Sequence, residues 1–286
     1  MKNNDFPILA VVVLYNPDIQ LLKKNLFAFQ QYVNKIILWD NSSYASTQQQ
    51  IDKLLTTFSN VIVIHKKINM GISTALNYAW NFANNHGYKA MLTMDQDSIF
   101  HYFPIFKNKV IEFWKRERLC ICGPAICDAS KTTFETYDSF IEKKHIITSG
   151  MLVPIELLNK IGGYCEDFFV DGIDVELCVK ARQYNYKSFI YRGAFLAQIY
   201  GTPQSRKILG KTLRSFGYAP NRLYNIFKSQ IIIFRKYHYP LDILRDILYN
   251  YMFRFTLKGV MLVEHNKREK LKAVCQGIKD GLLAKI

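Results

Sequence analysis

The stretch AMLTMDQDSIF, residues 90–100, ends an apolar run in two carboxylates two positions apart, Asp95 and Asp97. Side chains two apart on an extended chain point to the same side, so the pair converges if strand geometry persists that far. Converging carboxylates repel, and a divalent cation relieves the repulsion. Mg²⁺ and Mn²⁺ favour oxygen ligands, and Mg²⁺ is commonly held by one or two carboxylates plus substrate phosphates. The same four residues, Asp95 to Ser98, also read as a solvated turn closing a strand. A second acidic group comprises Asp171, Asp174 and Glu176, with Glu166 and Asp167 just upstream. It precedes and opens a helical pattern. Acidic residues there cap the helix, or Asp174, kept ionised by the helix dipole, serves as a general base.

The elements that must position these groups follow from periodicity. Continuous apolar runs predict buried strands at Ile8–Leu14, Lys35–Asp40, Val61–His65 and Ala90–Met94. Helical spacing, such as Leu22, Leu26, Phe29 and Val33, predicts helices over 19–33, 47–58 and 73–86 between them. This alternation implies a parallel sheet covered on both faces, with ligands beyond the carboxyl ends of its strands. Tyr15/Asn16, Asp40/Asn41/Ser42 and Asp95/Asp97 stand at three such ends and should line one rim. Neither GxGxxG nor GxxxxGK is present. After residue 100 the spacing predicts a helix over 103–117 and a strand in CICGPAI. HIITSGMLVPIELLNKIGGY reads as strand, turn, strand and short helix. A further helix covers about 174–184, and SFIYRGAFLAQIYG reads as a closing strand pair. Helical patterns rich in aromatic and basic residues follow from about 203.

With 286 residues, 49% of them apolar, the chain can build a sizeable core. No run approaches the ~20 apolar residues a bilayer span needs. ILAVVVLY is strand-length and lacks signal-peptide flanks, so a cytoplasmic location is expected. The six cysteines form no CxxC pair and no zinc pattern, and read as small buried hydrophobes. The net charge of +15 is uneven: residues 205–286 carry 17 Lys/Arg against 5 Asp/Glu, together with 11 Phe/Tyr. NRLYNIFKSQIIIFRKYHY and ILRDILYNYMFRFTLKGVML predict amphipathic helices that lie in a membrane interface, or whose aromatics pack inside the protein or on a second subunit. Nucleic-acid binding fits the charge but has no recognition motif, so no nucleic-acid partner is expected.

In order along the chain, VVVLYNP, LWDNSS, NMGISTALNYA, MDQDS and FFVDGIDVELCVKAR, with the basic aromatic tail, resemble the inverting glycosyltransferases of family 2. Their bacterial rhamnosyltransferase-like branch is the nearest in flavour. The resemblance implies a GT-A α/β fold, with a central, mostly parallel sheet flanked by helices and a C-terminal helical basic segment. It implies a catalytic domain over 1–203, nucleotide-binding in 1–100 and acceptor-binding in 101–203; the charge and amphipathicity of 204–286 make that remainder a membrane-associating region by expectation. Tyr15, Asn16 and Asp40 are then expected at the base and ribose, and Asn69, Gly71 and Asn77 beside the nucleotide. Asp95 is expected near ribose and metal, and Asp97 on Mg²⁺ or Mn²⁺. Ser149 and Gly150 should sit where sugar and acceptor meet. Asp174 matches the base, and Asp171 could share its role. Arg206, Lys207 and Lys211 either close over the diphosphate or are solvated surface charge.

The implied donor is a dTDP- or UDP-sugar, with dTDP-rhamnose the first choice and a UDP-hexose or galactofuranose donor the alternative. The implied acceptor is a polyprenyl-diphosphate-linked cell-surface glycan such as O-antigen or capsule. The location would be peripheral, on the inner face of the bacterial membrane, and there is room for a homodimer. One departure stands out: Gln198 occupies a position where the family often has histidine. Two other classes compete, a nucleotidyltransferase using an acidic pair on an α/β sheet, and a non-catalytic binder driven by the tail.

Overall fold

The computed structural model describes residues 6–117, 119–128, 135–198, 201–208, 210–238 and 240–286. They form two compact units. The first runs to Phe169 and resumes at Ile173; the second takes Val170–Gly172 and the chain from Gly201 to Ile286.

The first unit is built on a nine-stranded sheet. Its strands are β1 (Ile8–Leu14), β2 (Lys35–Asp40), β3 (Val61–His65), β4 (Ala90–Asp95), β5 (Ile99–His101), β6 (Ile121–Asp128), β7 (Phe140–Lys143), β8 (Met151–Pro154) and β9 (Ser188–Gln198). The order is β3-β2-β1-β4-β8-β6-β9-β5, with β7 also on β9. The first four strands are parallel, with Leu14 opposite Asp40 and Val13 opposite Asp95. Their carboxyl ends therefore share one rim. Beyond β4 the sheet is mixed: β8 runs antiparallel to β4 and β6, β9 is parallel to β6, and β5 and β7 are antiparallel to β9. The predominantly parallel sheet implied by the sequence thus holds for its first half.

Helices α1 (Ile19–Phe29), α2 (Ala45–Leu55), α3 (Gly71–Asn85), α4 (Phe103–Arg116), α5 (Ile155–Ile161) and α6 (Ile173–Gln183) flank the sheet. Asp18 starts α1, its Oδ1 accepting from the N–H groups of Gln20 and Leu21 at 2.8 and 3.0 Å. The stripe Leu22, Leu26 and Phe29 is then buried against β1 residues and the aromatic cluster Phe100, Phe103 and Phe106.

Two expectations change. HII in 145–147 is not a strand, because the chain turns there: Thr148 C=O accepts from the Thr93 hydroxyl at 2.5 Å and from Met151 N–H at 3.2 Å. The expected closing pair is a single strand, β9, whose register against β6 shifts between Pro124 and Ala125. The shift lets one strand pair twice with β6 rather than turn back. Part of the closing stretch, residues 199–200, lies outside the described residues.

The second unit opens with a hairpin of β10 (Gln204–Ile208) and β11 (Lys211–Ser215), where helix was expected. Lys207 and Lys211 lie on it, exposed, and Arg206 donates to the Leu262 C=O at 3.3 Å. Then come α7 (Pro220–Lys236), α8 (Leu241–Arg245), a wide π-type helix over Asp246–Met261, and α9 (Lys267–Leu283). Helices α7 and α9 pack together, and Tyr218, Leu223, Phe227, Val260 and Val274 make a small core. The first of the two expected amphipathic stretches is therefore largely internal, with Ile226, Ile232 and Ile233 buried. Among the described residues, no helix is long and apolar enough to cross a membrane.

Candidate active site

The rim is assembled by side chains that bond backbone across strand ends. The Tyr15 N–H donates to Gln96 Oε1 at 2.7 Å, and Gln96 Nε2 donates back to the Tyr15 C=O at 3.2 Å. This pins the end of β1 to the turn after β4. Asn16 is left-handed (φ 47°), and its N–H donates to Ser42 Oγ at 2.8 Å, joining β1 to β2. The Tyr15 ring stands 52% exposed on this rim.

Asp40 is fully buried. Its Oδ1 accepts from Ser42 N–H at 2.9 Å, and its Oδ2 lies 2.7 Å from His65 Nδ1. The other ring nitrogen of His65 lies 3.0 Å from Asp52 Oδ1. Burial works to lower the His65 pKa, but hydrogen bonds to Asp52 and Asp40 outweigh it and hold the pKa above its ordinary value.

Asp95 ends β4, and three other elements hold it. Its N–H donates to Ser149 Oγ at 3.1 Å, its C=O accepts from Asn25 Nδ2 at 2.9 Å, and its Oδ2 accepts from Gln198 Nε2 at 2.9 Å. Gln198 Oε1 is buried and takes no hydrogen bond from the protein. Strand geometry stops at Asp95, and exposed Asp97 sits in the turn before β5. The strict two-residue alternation therefore does not carry through to it. Among the described residues no three His, Cys, Asp or Glu side chains cluster as a metal set. The Asp95 carboxylate and the Gln198 amide, with Asp97 two residues on, offer oxygen donors of the kind that Mg²⁺ or Mn²⁺ takes together with phosphate and water, and not the donor set of a closed zinc site.

Asp174 lies in the first turn of α6, its Oδ1 accepting from Val175 N–H at 2.8 Å. It lines a pocket of about 110 Å³ with Ser149, His145 and an apolar wall that includes Pro124, Ile126, Ile146 and Ile190. Ser149 thus touches both the backbone of Asp95 and the pocket holding Asp174. Gly150, at φ 77°, allows the turn into β8, and a Cβ there would meet Pro124 at 2.9 Å. Asp171 belongs to the second unit, where Arg222 lies 3.6 Å from its Oδ1 and Ser229 donates to its C=O at 2.7 Å. Glu176 is buried, 3.6 Å from Lys180.

The motif at 69–79 seats the loop that leads to Asp174. Asn69 Oδ1 accepts from Gly71 N–H at 2.9 Å. Gly71 has φ 79°, and a Cβ there would lie 2.7 Å from the Phe169 ring and 2.8 Å from its carbonyl oxygen. The Ile72 N–H and the Ser73 hydroxyl donate to the carbonyls of Phe169 and Phe168, at 2.8 and 2.7 Å. The Asn77 amide bonds Tyr164 N–H and C=O, both at 2.9 Å, and Glu166 at 3.0 Å.

The sequence placed Asn41 on the rim without its bonds, and two further side chains that organise the site, Asn25 and Gln96, were missed. Buried Asn41 accepts from Trp39 Nε1 and Met70 N–H, at 3.0 and 3.1 Å, and donates to Gly71 C=O at 3.3 Å. Buried Asn25 bridges the carbonyls of Asp95 and Ser98. Asn25 carried a signal: an amide on the apolar face of a helix must find partners inside.

A family model described as "Glycosyl transferase family 2" matches residues 10–170. A curated relative, the dTDP-rhamnosyl transferase RfbF of Shigella flexneri, is 24% identical over 96% of this chain and 95% of its own length. Among solved structures, GalNAc-T7 with UDP, GalNAc and Mn²⁺ superposes with a TM-score of 0.63 at 13% identity. That match covers 98% of this chain, which spans only 56% of GalNAc-T7. The Pyrobaculum calidifontis mannosyltransferase PcManGT, with GDP-Man and Mn²⁺, gives 0.58 at 14% identity, covering all of this chain and 77% of its own. S. aureus TarS residues 1–349 with UDP-GlcNAc gives 0.54 at 13%, covering 96% and 81%.

Proposed function

Because the chain belongs to glycosyl transferase family 2, and is therefore a glycosyltransferase with a GT-A-like fold, we propose that it moves a hexose with inversion from a nucleoside-diphosphate donor to a glycan hydroxyl. One observation carries this reading: Ser149 joins the acidic strand end at Asp95 to the pocket containing Asp174. The base and ribose lie over Tyr15, Asn16 and the Asp40 strand end. A divalent cation on Asp97 and Asp95, when bound, neutralises charge on the departing diphosphate. Asp174 takes the proton of the acceptor hydroxyl as its oxygen attacks the anomeric carbon from the face opposite the leaving group. Asn69, Gly71 and Asn77 act by holding loop 164–169, so that Asp174 meets the sugar at a fixed distance.

Two donors compete. The UDP and UDP-GlcNAc of solved relatives favour a UDP-hexose. The dTDP-rhamnosyl relative favours a 6-deoxyhexose, whose methyl group suits the isoleucine wall beside Asp174. The acceptor in either reading is a lipid-linked surface glycan. A thermal-shift panel of dTDP-rhamnose, UDP-hexoses and nucleoside triphosphates, with and without Mn²⁺, decides. Stabilisation by one nucleotide sugar with Mn²⁺ is expected. Stabilisation by a triphosphate alone, with pyrophosphate release, would overturn the reading in favour of nucleotidyl transfer.

A further inference from the structure

The second unit carries an apolar stripe that its own core does not use. Leu248, Tyr249, Phe253, Leu257, Met261 and Leu262 are all exposed, from 38% at Met261 to 58% at Leu248. They recur every four or five residues along the π-type helix Asp246–Met261 and just past its end. That interval matches a helix with i→i+5 bonds, about 4.4 residues per turn, so the side chains gather on one side. An α-helix, turning about 100° per residue, would set Leu248 and Leu257 on opposite faces. The wide turn is what makes the stripe. The other side of the helix is occupied: Ile247, Thr256 and Val260 are buried, and Tyr251, Met252 and Phe255 pack on the small core. Cations border the stripe. Arg254 and Lys258 each follow an exposed apolar residue by one position, and exposed Arg245 lies one turn before Tyr249. Tyr249 and Phe253 stack at 6.0 Å, and Lys258 Nζ lies 4.7 Å from the Phe253 ring centre.

We propose that this stripe docks the protein on an anionic lipid bilayer, with the helix lying in the interface plane. Apolar side chains enter the acyl boundary while the bordering cations meet phosphate headgroups. Charge selects this occupant over a second copy of the chain. Residues 205–286 carry 17 cations against 5 anions, so two such faces repel each other while an anionic surface attracts both. The inference rests on the second unit alone and not on the donor proposed above.

Co-sedimentation of the full chain with phosphatidylcholine vesicles, with and without about one third phosphatidylglycerol, tests it. Binding should be at least about tenfold stronger on anionic vesicles and should fall in high salt. The double variant Phe253→Ser, Leu257→Ser should lose about tenfold in binding, and Arg254→Gln, Lys258→Gln should lose the preference for anionic lipid. Leu257→Trp gives a readout that needs no loss of fold: its fluorescence should shift to the blue on adding anionic vesicles. Equal binding to both lipids, unchanged binding by the serine variant, or an unshifted tryptophan would each overturn the proposal. So would a concentration-dependent dimer that the serine variant abolishes while lipid binding stays unchanged. Donor stabilisation in the thermal-shift panel is read without vesicles, so failure of either idea leaves the other standing.

Discussion

The two units solve opposite problems with similar materials. In the first, polar side chains from helices and strand ends turn inward onto backbone: Asn25, Asn41, Asn77 and Gln96 all bond main-chain groups of other segments. In the second, apolar side chains turn outward along Asp246–Met261, while a small core around Leu223, Phe227 and Val274 holds the helices. A buried amide that satisfies several backbone groups fixes geometry, which chemistry requires. A contiguous apolar face left in water is the mark of a surface that meets a partner. One unit is built to position atoms, the other to present area.

The sharpest way to separate them is Asp174→Asn. Glycosyl transfer should fall by about 10²–10⁴-fold, the usual range for removing a general base. Donor stabilisation and vesicle binding should both persist; loss of vesicle binding would show that the two units are not independent in this sense. Next in size is Gly71→Ala. A left-handed backbone and a Cβ 2.7 Å from Phe169 should together cost about 2 kcal/mol or more, read as a lower unfolding midpoint. A neutral result would mean that the seat under loop 164–169 is loose.

Gln198→Ala removes the donor that orients Asp95 Oδ2, and Mn²⁺ affinity in the presence of nucleoside diphosphate should drop by about tenfold, measured by manganese EPR. The smallest effect concerns pH. His65 has a raised pKa in the folded chain, so its bridge to Asp40 and Asp52 is fully stabilising below pH ~6.5 and fades as pH rises through the raised value. The melting-temperature gap between the native chain and His65→Gln should therefore be widest in mild acid and shrink above neutrality. A gap that grows with pH would reverse the assigned sign.

Much of the first unit was legible because period and burial agree there. β1, β2 and β3 read as apolar runs and end at or beside their polar residues. Asp95, Asp97 and Asp174 were visible as carboxylates at element ends. What the chain does not announce is which partner a polar side chain chooses. Asp40, expected on the nucleotide, turns its carboxylate to His65 and Ser42. Gly71 and Asn77, expected beside the nucleotide, meet residues nearly a hundred positions later, and Asn69 holds Gly71. Such long-range bonds leave no periodic trace. Asp171, three residues before Asp174, belongs to the other unit, a split that sequence distance conceals. The second amphipathic stretch was legible as one, but not which of its residues share the exposed face, because the segment winds more widely than a 3.6-residue turn.

The seating of residues 164–169 on the start of the third helix has a consequence for recombination. Gly71 and Phe169 fit as a matched pair, and the carbonyls of Phe168 and Phe169 are claimed by donors from residues 72 and 73. A chimera that splices the first hundred residues of one homologue onto the remainder of another inherits half of each pair. Such hybrids should lose turnover before they lose either substrate, and restoring the native partner at one position should recover it.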